Sequence, residues 1–175
     1  MQECRGAEAE IGLEVFFTDS PGIGGRLKQT PEDFIVDEIS LPPAEDDSGS
    51  YSIAKVTSQN WETNRLVREL SKTLRISRDR IGFAGTKDKR GITSQLMSFQ
   101  ASVDDVRNLN LHQISISDVY RSKKPLTIGD LIGNKFIIKC RNSALSKDEI
   151  QASISQTESQ LSELGGFPNF LVCRD

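Results

Sequence analysis

The stretch FAGTKDKRGITSQ, residues 83–95, places one carboxylate in a loop bounded by glycines. That carboxylate is Asp88, and three cations lie next to it in the loop: Lys87, Lys89 and Arg90. The segments before and after the loop, 81–84 and 92–100, have the short apolar and β-branched character of strands. The stretch therefore predicts a strand, a charged loop and a second strand.

Two interpretations of Asp88 follow from this loop. An aspartate held among cations can act as a nucleophile, and it then needs no metal or cofactor. The alternative is an ordinary polar hairpin turn on a solvated face, because Gly, Asp and Lys are common turn residues. Motifs elsewhere in the sequence are needed to distinguish the two interpretations.

Length and composition predict a single domain with a real core. The chain has 175 residues, of which 36% are hydrophobic and 27% are charged, as is usual for soluble proteins. No apolar run approaches the roughly 18 residues that span a bilayer. The first residues are rich in glutamate, which is the wrong charge for a signal peptide. We therefore expect a cytoplasmic protein that does not contact a membrane.

The cysteine and histidine content argues against metal and cofactor chemistry. Cys4, Cys140 and Cys173 are far apart, and His112 is the only histidine. A zinc site needs four ligands at close spacing, and the single histidine leaves few routes to a Ser-His-Asp site. Neither GxxxxGK[ST] nor GxGxxG occurs. We expect no metal and no cofactor.

The net charge of −3 conceals a strong asymmetry along the chain. Residues 1–47 carry 3 basic and 12 acidic side chains, whereas residues 65–147 have a net charge of +10. If these cations share a face, a polyanion such as RNA is the expected partner. The alternative is that they lie on separate solvated faces.

A basic amphipathic helix is predicted from Thr63 onward, with that threonine as its cap. Its apolar positions have helical spacing: Leu66, Val67, Leu70 and Leu74. The cations interleaved with them are Arg65, Arg68, Lys72 and Arg75. We expect these four side chains to contact RNA phosphates.

The remaining pattern predicts an α+β fold with a mostly antiparallel, mixed sheet and flanking helices. Strands are expected at 33–39 and 51–57, paired with each other, and at 114–120. Gly133-Asn134 predicts a tight turn that opens a strand over 135–140. Helices are expected after the capping residues Ser102 and Ser146, the second of them ending at Gly165.

Four segments, in order, resemble the signatures of the TruD family of tRNA pseudouridine synthases. They are GGRLK (24–28) with PEDFIVDE (31–38), GFAGTKDKRGITSQ (82–95), LIGNKF (131–136) and GGFPNF (165–170). The residues of the N-terminal segment are most like those of the archaeal branch. The resemblance implies a partial pseudouridine synthase catalytic domain over 21–170, after a flexible lead-in (1–20) and before a divergent tail (171–175).

The resemblance also implies an activity and its residues. The family isomerises uridine to pseudouridine, typically at position 13 in the D arm of tRNA, and the matching catalytic aspartate is Asp88. Four residues would contact the substrate uridine, the aromatic pair by stacking on the extruded base: Phe34, Lys87, Asn134 and Phe136. Lys89 and Arg90, with Lys87, would keep Asp88 ionised and meet phosphates. Nucleophilic attack and a glycal route both remain open.

The family pattern is interrupted after Phe170. A glycine-glutamine-arginine-phenylalanine stretch, an inserted domain and the rest of the catalytic domain would normally follow, but the sequence reads LVCRD instead. The chain is therefore expected to be either a tRNA pseudouridine synthase or a truncated, non-catalytic RNA-binding fragment of that family. If the gene is split, a complementary C-terminal chain would be a partner beside tRNA.

Overall fold

A computed structural model describes residues 3, 4, 6–10, 12 and 14–167 of the chain. The predicted tail at 171–175 lies outside the described residues. The chain divides into two compact units, one formed by residues 27–141 and the other by 1–26 with 142–175. The predicted boundaries of the lead-in and the catalytic domain stay predictions.

The fold is α+β, as the sequence predicts. The strands are β1 (Phe34–Ser40), β2 (Tyr51–Gln59), β3 (Ile81–Phe83), β4 (Ile92–Phe99), β5 (Ile114–Ser122) and β6 (Leu131–Ile138). The helices are α1 (Ala7–Glu10), α2 (Thr63–Leu74), α3 (Val103–Arg107) and α4 (Lys147–Glu163).

Unit 27–141 is built on one sheet with strand order β5-β2-β4-β1-β6, and β3 pairs with the end of β4. β1 runs parallel to β4, while the other strand pairs described here are antiparallel. The predicted mixed, mostly antiparallel sheet is confirmed.

The predicted pairing of the first two strands is wrong. β2 lies between β4 and β5 instead of beside β1. The acidic connection between β1 and β2 is fastened to β5, because the Asp46 amide donates to the Arg121 carbonyl over 2.8 Å and the Ser122 hydroxyl donates to the Ala44 carbonyl. The connection therefore carries the chain to the far side of the sheet before β2 begins.

The core lies between one face of the sheet and the helices of this unit. Leu66, Val67 and Leu70 of α2 are buried with strand residues such as Val56 and Phe99. The predicted apolar spacing of α2 is thus confirmed. Burial of such side chains stabilises the fold by about 1.5–3 kcal/mol each relative to their exposure.

The cap of α2 differs from the prediction. Glu62 is the capping residue, and its carboxylate accepts hydrogen bonds from the amides of Asn64 and Arg65 at 2.8 and 3.0 Å. These backbone bonds lower the pKa of Glu62. Thr63 is instead the first helical residue, and its hydroxyl faces the loop after β3. Capping propensity identified the start of the helix to within one residue, but the capping side chain is Glu62 and not Thr63.

The predicted turn at Gly133-Asn134 is also wrong. Both residues lie inside β6, where they are paired with Ile39 and Glu38 of β1. The turn comes earlier, at residues 127–130, and the Asp130 carboxylate accepts hydrogen bonds from the amide and hydroxyl of Thr127. Asn134 therefore lies in a strand, and its side chain points to one side of the sheet.

The second unit combines the N-terminal segment with α4. Ser146 and Glu149 form the predicted capping box at the start of α4. Along the helix, the Ser153 hydroxyl donates to the Pro21 carbonyl, and the Gln160 side chain accepts from the Asp19 amide at 2.9 Å. These bonds hold residues 19–21 against α4.

Candidate active site

The loop that carries Asp88 projects from the β3–β4 hairpin. Phe83 pairs with Met97, and the chain returns to the sheet at Ile92, beside Ile35 of β1. Gly91, at the end of the loop, has a positive φ of 134°. A Cβ atom there would lie 2.3 Å from the Phe34 carbonyl oxygen, so only glycine permits this close approach.

Asp88 extends from this loop toward solvent, with 76% of its side chain exposed. Its nearest cation is Lys28, whose Nζ lies 3.6 Å from Asp88 Oδ2. The same ammonium group lies 3.9 Å from the centre of the Phe34 ring, a cation–π contact. Lys28 therefore joins the carboxylate to an aromatic ring. Lys28 ends the GGRLK segment, but its role was missed because it is remote from Asp88 along the chain.

A cavity of about 180 Å³ opens next to Asp88. It is lined by Phe34, Val36, Thr86, Lys87, Asp88, Asn134 and Phe136. All the predicted substrate contacts and the predicted catalytic residue thus lie in one place. The rings of Phe34 and Phe136 are tilted by 58°, with their centres 6.0 Å apart. Phe136 is 53% exposed, so its ring face is available to a planar ligand.

Strand register explains why these residues share a face. Val36 is opposite Phe136 and Glu38 is opposite Asn134 in the antiparallel β1–β6 pair. Alternate residues of a strand point to the same side of a sheet, so Phe34, Val36 and Glu38 face the same way. The loop with Asp88 closes over that side.

Lys87 differs from its predicted setting. Its side chain is 6% exposed and its Nζ lies 2.6 Å from Glu38 Oε2, so it does not extend to a phosphate alongside its neighbours. Its backbone amide donates to Thr63 Oγ1 over 2.7 Å. Lys87 is thus the buried cation of the loop, whereas Asp88, Lys89 and Arg90 are exposed.

The start of β1 is fixed by a second acid. Asp33 is fully buried, and the Arg141 guanidinium contacts both of its carboxylate oxygens at 2.8–2.9 Å. These bonds lower the pKa of Asp33 from 3.8 to about 2. The Thr30 amide also donates to this carboxylate, which anchors the residues immediately before Phe34.

The predicted basic face of α2 is exposed, but part of its charge is already paired. Arg68 and Lys72 lie 3.6 and 3.0 Å from Glu69 on the same helix. The Arg65 guanidinium stacks on Trp61, 4.8 Å from the ring centre. Arg75 ends the helix in the left-handed conformation. Phosphates would therefore compete with one intrahelical carboxylate for two of the four cations.

Metal and membrane features can be assessed over the described residues. There, no three His, Cys, Asp or Glu side chains lie close enough to hold a metal ion. No helix in residues 14–167, or in the short described pieces before them, has the length and apolar composition to cross a membrane.

Comparison of the chain with known proteins identifies its family. The family model of tRNA pseudouridine synthase D (TruD) matches residues 10–172. The chain belongs to the TruD family. A probable tRNA pseudouridine synthase D of Methanococcoides burtonii is 43% identical over 171 residues, and that of Methanosarcina mazei is 40% identical over 164.

A solved TruD-family structure has the same fold over this region. The crystal structure of the putative tRNA pseudouridine synthase D from Methanosarcina mazei matches with a TM-score of 0.84 and 39% identity, covering 94% of this chain and 38% of that one. The Methanococcoides relative is covered to 39% of its length. The chain thus spans a little over a third of the TruD proteins that it matches.

Proposed function

We propose that this chain carries the catalytic face of a tRNA pseudouridine synthase, an isomerase that converts uridine 13 of tRNA to pseudouridine, with Asp88 as the catalytic residue. The supporting observation is the meeting of Asp88 and two aromatic rings at one cavity, with Lys28 in contact with both Asp88 and Phe34. Membership of the TruD family supports the reaction class.

Four side chains of the cavity have a direct role in this reaction. The N1–C1′ bond of uridine must break, the uracil must turn over, and a C1′–C5 bond must form while C5 loses a proton and N1 gains one. The Asp88 carboxylate either attacks C1′ or removes the C2′ proton. Phe34 and Phe136 stack on the freed base, and Asn134 hydrogen-bonds its edge.

The exposed cations contact the tRNA backbone outside the target base. Lys89 and Arg90 adjoin Asp88 in the loop and are exposed, so they contact phosphates near the target nucleotide. The four cations of α2 contact the backbone farther away: Arg65, Arg68, Lys72 and Arg75. Phosphate contacts of this kind position the RNA but carry no sequence information.

A second candidate function is a non-catalytic RNA-binding fragment. The observation that favours it is the exposure of the cations in the Asp88 loop and on α2, because phosphate contacts need no complete catalytic site. A complementary C-terminal chain would be the partner if the rest of the fold is supplied separately. Edge strand β6 supports this, because its residues Ile132, Phe136 and Ile138 are all more than half exposed.

The experiment compares this chain with a completed synthase. In the completed synthase, residues 1–167 are fused to the C-terminal remainder of the Methanosarcina mazei relative. Both proteins are incubated with a tRNA transcript, and pseudouridine is mapped at single-nucleotide resolution. A transcript with cytidine at position 13 is the control.

We expect pseudouridine at position 13 with the completed synthase and none with the control transcript. Modification of a different uridine would correct the substrate, and no modification would overturn the proposed reaction. If the 175-residue chain binds tRNA but only the completed synthase modifies it, the fragment interpretation holds for the chain alone.

A further inference from the structure

One buried ion pair lies beneath the loop that carries Asp88. The side chains of Lys87 and Glu38 are 6% and 0% exposed, and Lys87 Nζ lies 2.6 Å from Glu38 Oε2. The second oxygen, Glu38 Oε1, accepts a hydrogen bond from the Ser40 hydroxyl at 2.8 Å. Both carboxylate oxygens therefore have partners away from water.

The backbone of Lys87 is held as well. Its amide donates to Thr63 Oγ1 over 2.7 Å, and Thr63 is only 1% exposed. One residue of the loop is thus fixed twice, by its side chain to β1 and by its backbone to the first residue of α2. Asp88 is the next residue along the chain.

Stability alone is a poor reason for this arrangement. Burial of an ion pair costs solvation free energy that often equals or exceeds the gain from its mutual attraction. Apolar residues of similar volume therefore often stabilise a fold as well or better. Here the contacts hold the Glu38 carboxylate at both oxygens, because one accepts from Lys87 and the other from Ser40. Asp88 needs help of this kind, because its side chain is 76% exposed and its ion pair with Lys28 spans 3.6 Å.

We propose that Glu38, Thr63 and Lys87, here called the loop brace, position the catalytic carboxylate of Asp88 against the aromatic cavity. None of the three is a catalytic residue in this account, and Lys87 is not a phosphate contact. The inference rests on the proposed function, because it assigns the brace to the same reaction. Its consequence is that the brace sets the turnover rate and leaves tRNA affinity unchanged.

The sharpest variant removes one hydrogen-bond acceptor. Thr63→Val keeps the shape of the side chain but cannot accept from the Lys87 amide, whereas Thr63→Ser keeps the hydroxyl. In the completed synthase we expect Thr63→Val to lower kcat by about 10- to 100-fold, because displacement of a reacting group by about 1 Å can cost 100-fold. KM should be unchanged, and Thr63→Ser should keep most of the wild-type kcat.

A double variant tests the ion pair without leaving a lone buried charge. Glu38→Gln combined with Lys87→Met replaces both partners by neutral groups of similar size, which is tolerated better than the loss of one. We expect a cooperative melt close to that of the wild type, with kcat again reduced and tRNA affinity kept. A folded double variant with wild-type kcat would show that the pair is merely structural.

Amide hydrogen exchange in the 175-residue chain gives a measurement that does not depend on activity. Thr63→Val should speed exchange of the Lys87 and Asp88 amides and leave those of the distant strand β5 unchanged, whereas Thr63→Ser should not. If loop exchange and kcat both match the wild type, the proposal is overturned. If the wild-type completed synthase forms no pseudouridine, the proposed function is contradicted. The exchange result would then still decide whether the brace orders the loop.

Discussion

At the scale of single residues, the two aromatic rings of the cavity differ in how much they contribute to packing. Phe136 is 53% exposed on an edge strand, whereas Phe99 is fully buried in the core. Removing a ring from the first site should therefore cost little stability, and removing one from the second should cost roughly 3–5 kcal/mol for truncation to alanine. Stacking on an extruded base contributes about 1–3 kcal/mol per base.

We therefore predict that Phe136→Leu in the completed synthase lowers turnover by roughly 5- to 150-fold with a small change in melting temperature, because about 1–3 kcal/mol of stacking is lost. Phe34→Leu should act in the same direction. Phe99→Leu is the matched control and should lower the melting temperature mainly. Normal turnover with a large fall in the melting temperature of Phe136→Leu would mark this ring as an ordinary packing residue.

The ion pair between the buried Asp33 and the partly exposed Arg141 leads to a pH-dependent prediction. The folded-state pKa of Asp33 is about 2, below its ordinary 3.8, so the pair stabilises the fold above pH ~4 and this contribution is lost as the pH falls toward 2. Asp33→Asn should lower the melting temperature at pH 7, and the difference from wild type should shrink between pH 4 and pH 2. Asp104→Asn, at an exposed carboxylate, is the control. A difference that stays constant down to pH 2 would contradict the assignment.

The sequence could indicate which residues come together at the cavity, but not which cation faces which acid. Asp88 and the aromatic pair were identified by their motifs, and the structure brings them together. The pairing of Asp88 with Lys28 and of Lys87 with Glu38 depends on sheet register and on the facing of one loop residue. Neither is encoded in local spacing, because each pair joins segments that are distant along the chain.

At the scale of secondary-structure elements, the exposed face of α2 is the candidate RNA surface. Converting Arg65, Arg68, Lys72 and Arg75 to glutamine should weaken tRNA binding by the 175-residue chain. The slope of log affinity against log salt should become shallower by about 0.7–0.9 per phosphate contact removed. Because Glu69 already pairs with Arg68 and Lys72, the total change should fall short of four contacts.

The control for this experiment removes equal charge elsewhere in the same unit. Arg78, Arg80, Lys123 and Lys124 are all exposed, and their conversion to glutamine lowers the net charge by the same amount. We expect a smaller change of slope for this control. Equal slopes for the two variants would mean that α2 contributes only general charge, and a wild-type slope for the α2 variant would mean that the helix faces solvent.

Elements were predictable from the sequence where the signal is local. Periodicity located α2 and the strands around the Asp88 loop, and the capping box located α4. Strand neighbours were not predictable, because the fastening of the β1–β2 connection to β5 depends on backbone contacts such as that of Asp46 with Arg121. Gly133-Asn134 has the composition of a turn, but pairing with β1 overrides that local preference.

At the scale of the whole molecule, unit 27–141 presents an exposed apolar surface at one edge of its sheet. Ile39 of β1 and Ile137 of β6 are 48% and 51% exposed, on the face opposite the cavity. Edge strands with uncovered apolar side chains promote association. We therefore expect the isolated 175-residue chain to be marginally stable and to self-associate as its concentration rises.

Ile39→Glu combined with Ile137→Lys should reduce this association, as measured by sedimentation velocity over a concentration series. The control is Ile128→Glu, which changes an exposed isoleucine in the loop before β6. We expect little effect from the control. A wild-type chain that stays monomeric at every concentration and melts cooperatively would contradict the prediction.

The central claim is that Asp88 performs the isomerisation, and one measurement tests it most directly. Pseudouridine formation and tRNA affinity are measured for the completed synthase, for Asp88→Asn and for Asp104→Asn, which changes an exposed acid away from the cavity. We predict that Asp88→Asn binds tRNA like the wild type and forms no pseudouridine, while Asp104→Asn retains both properties. Substantial pseudouridine formation by Asp88→Asn would contradict the account.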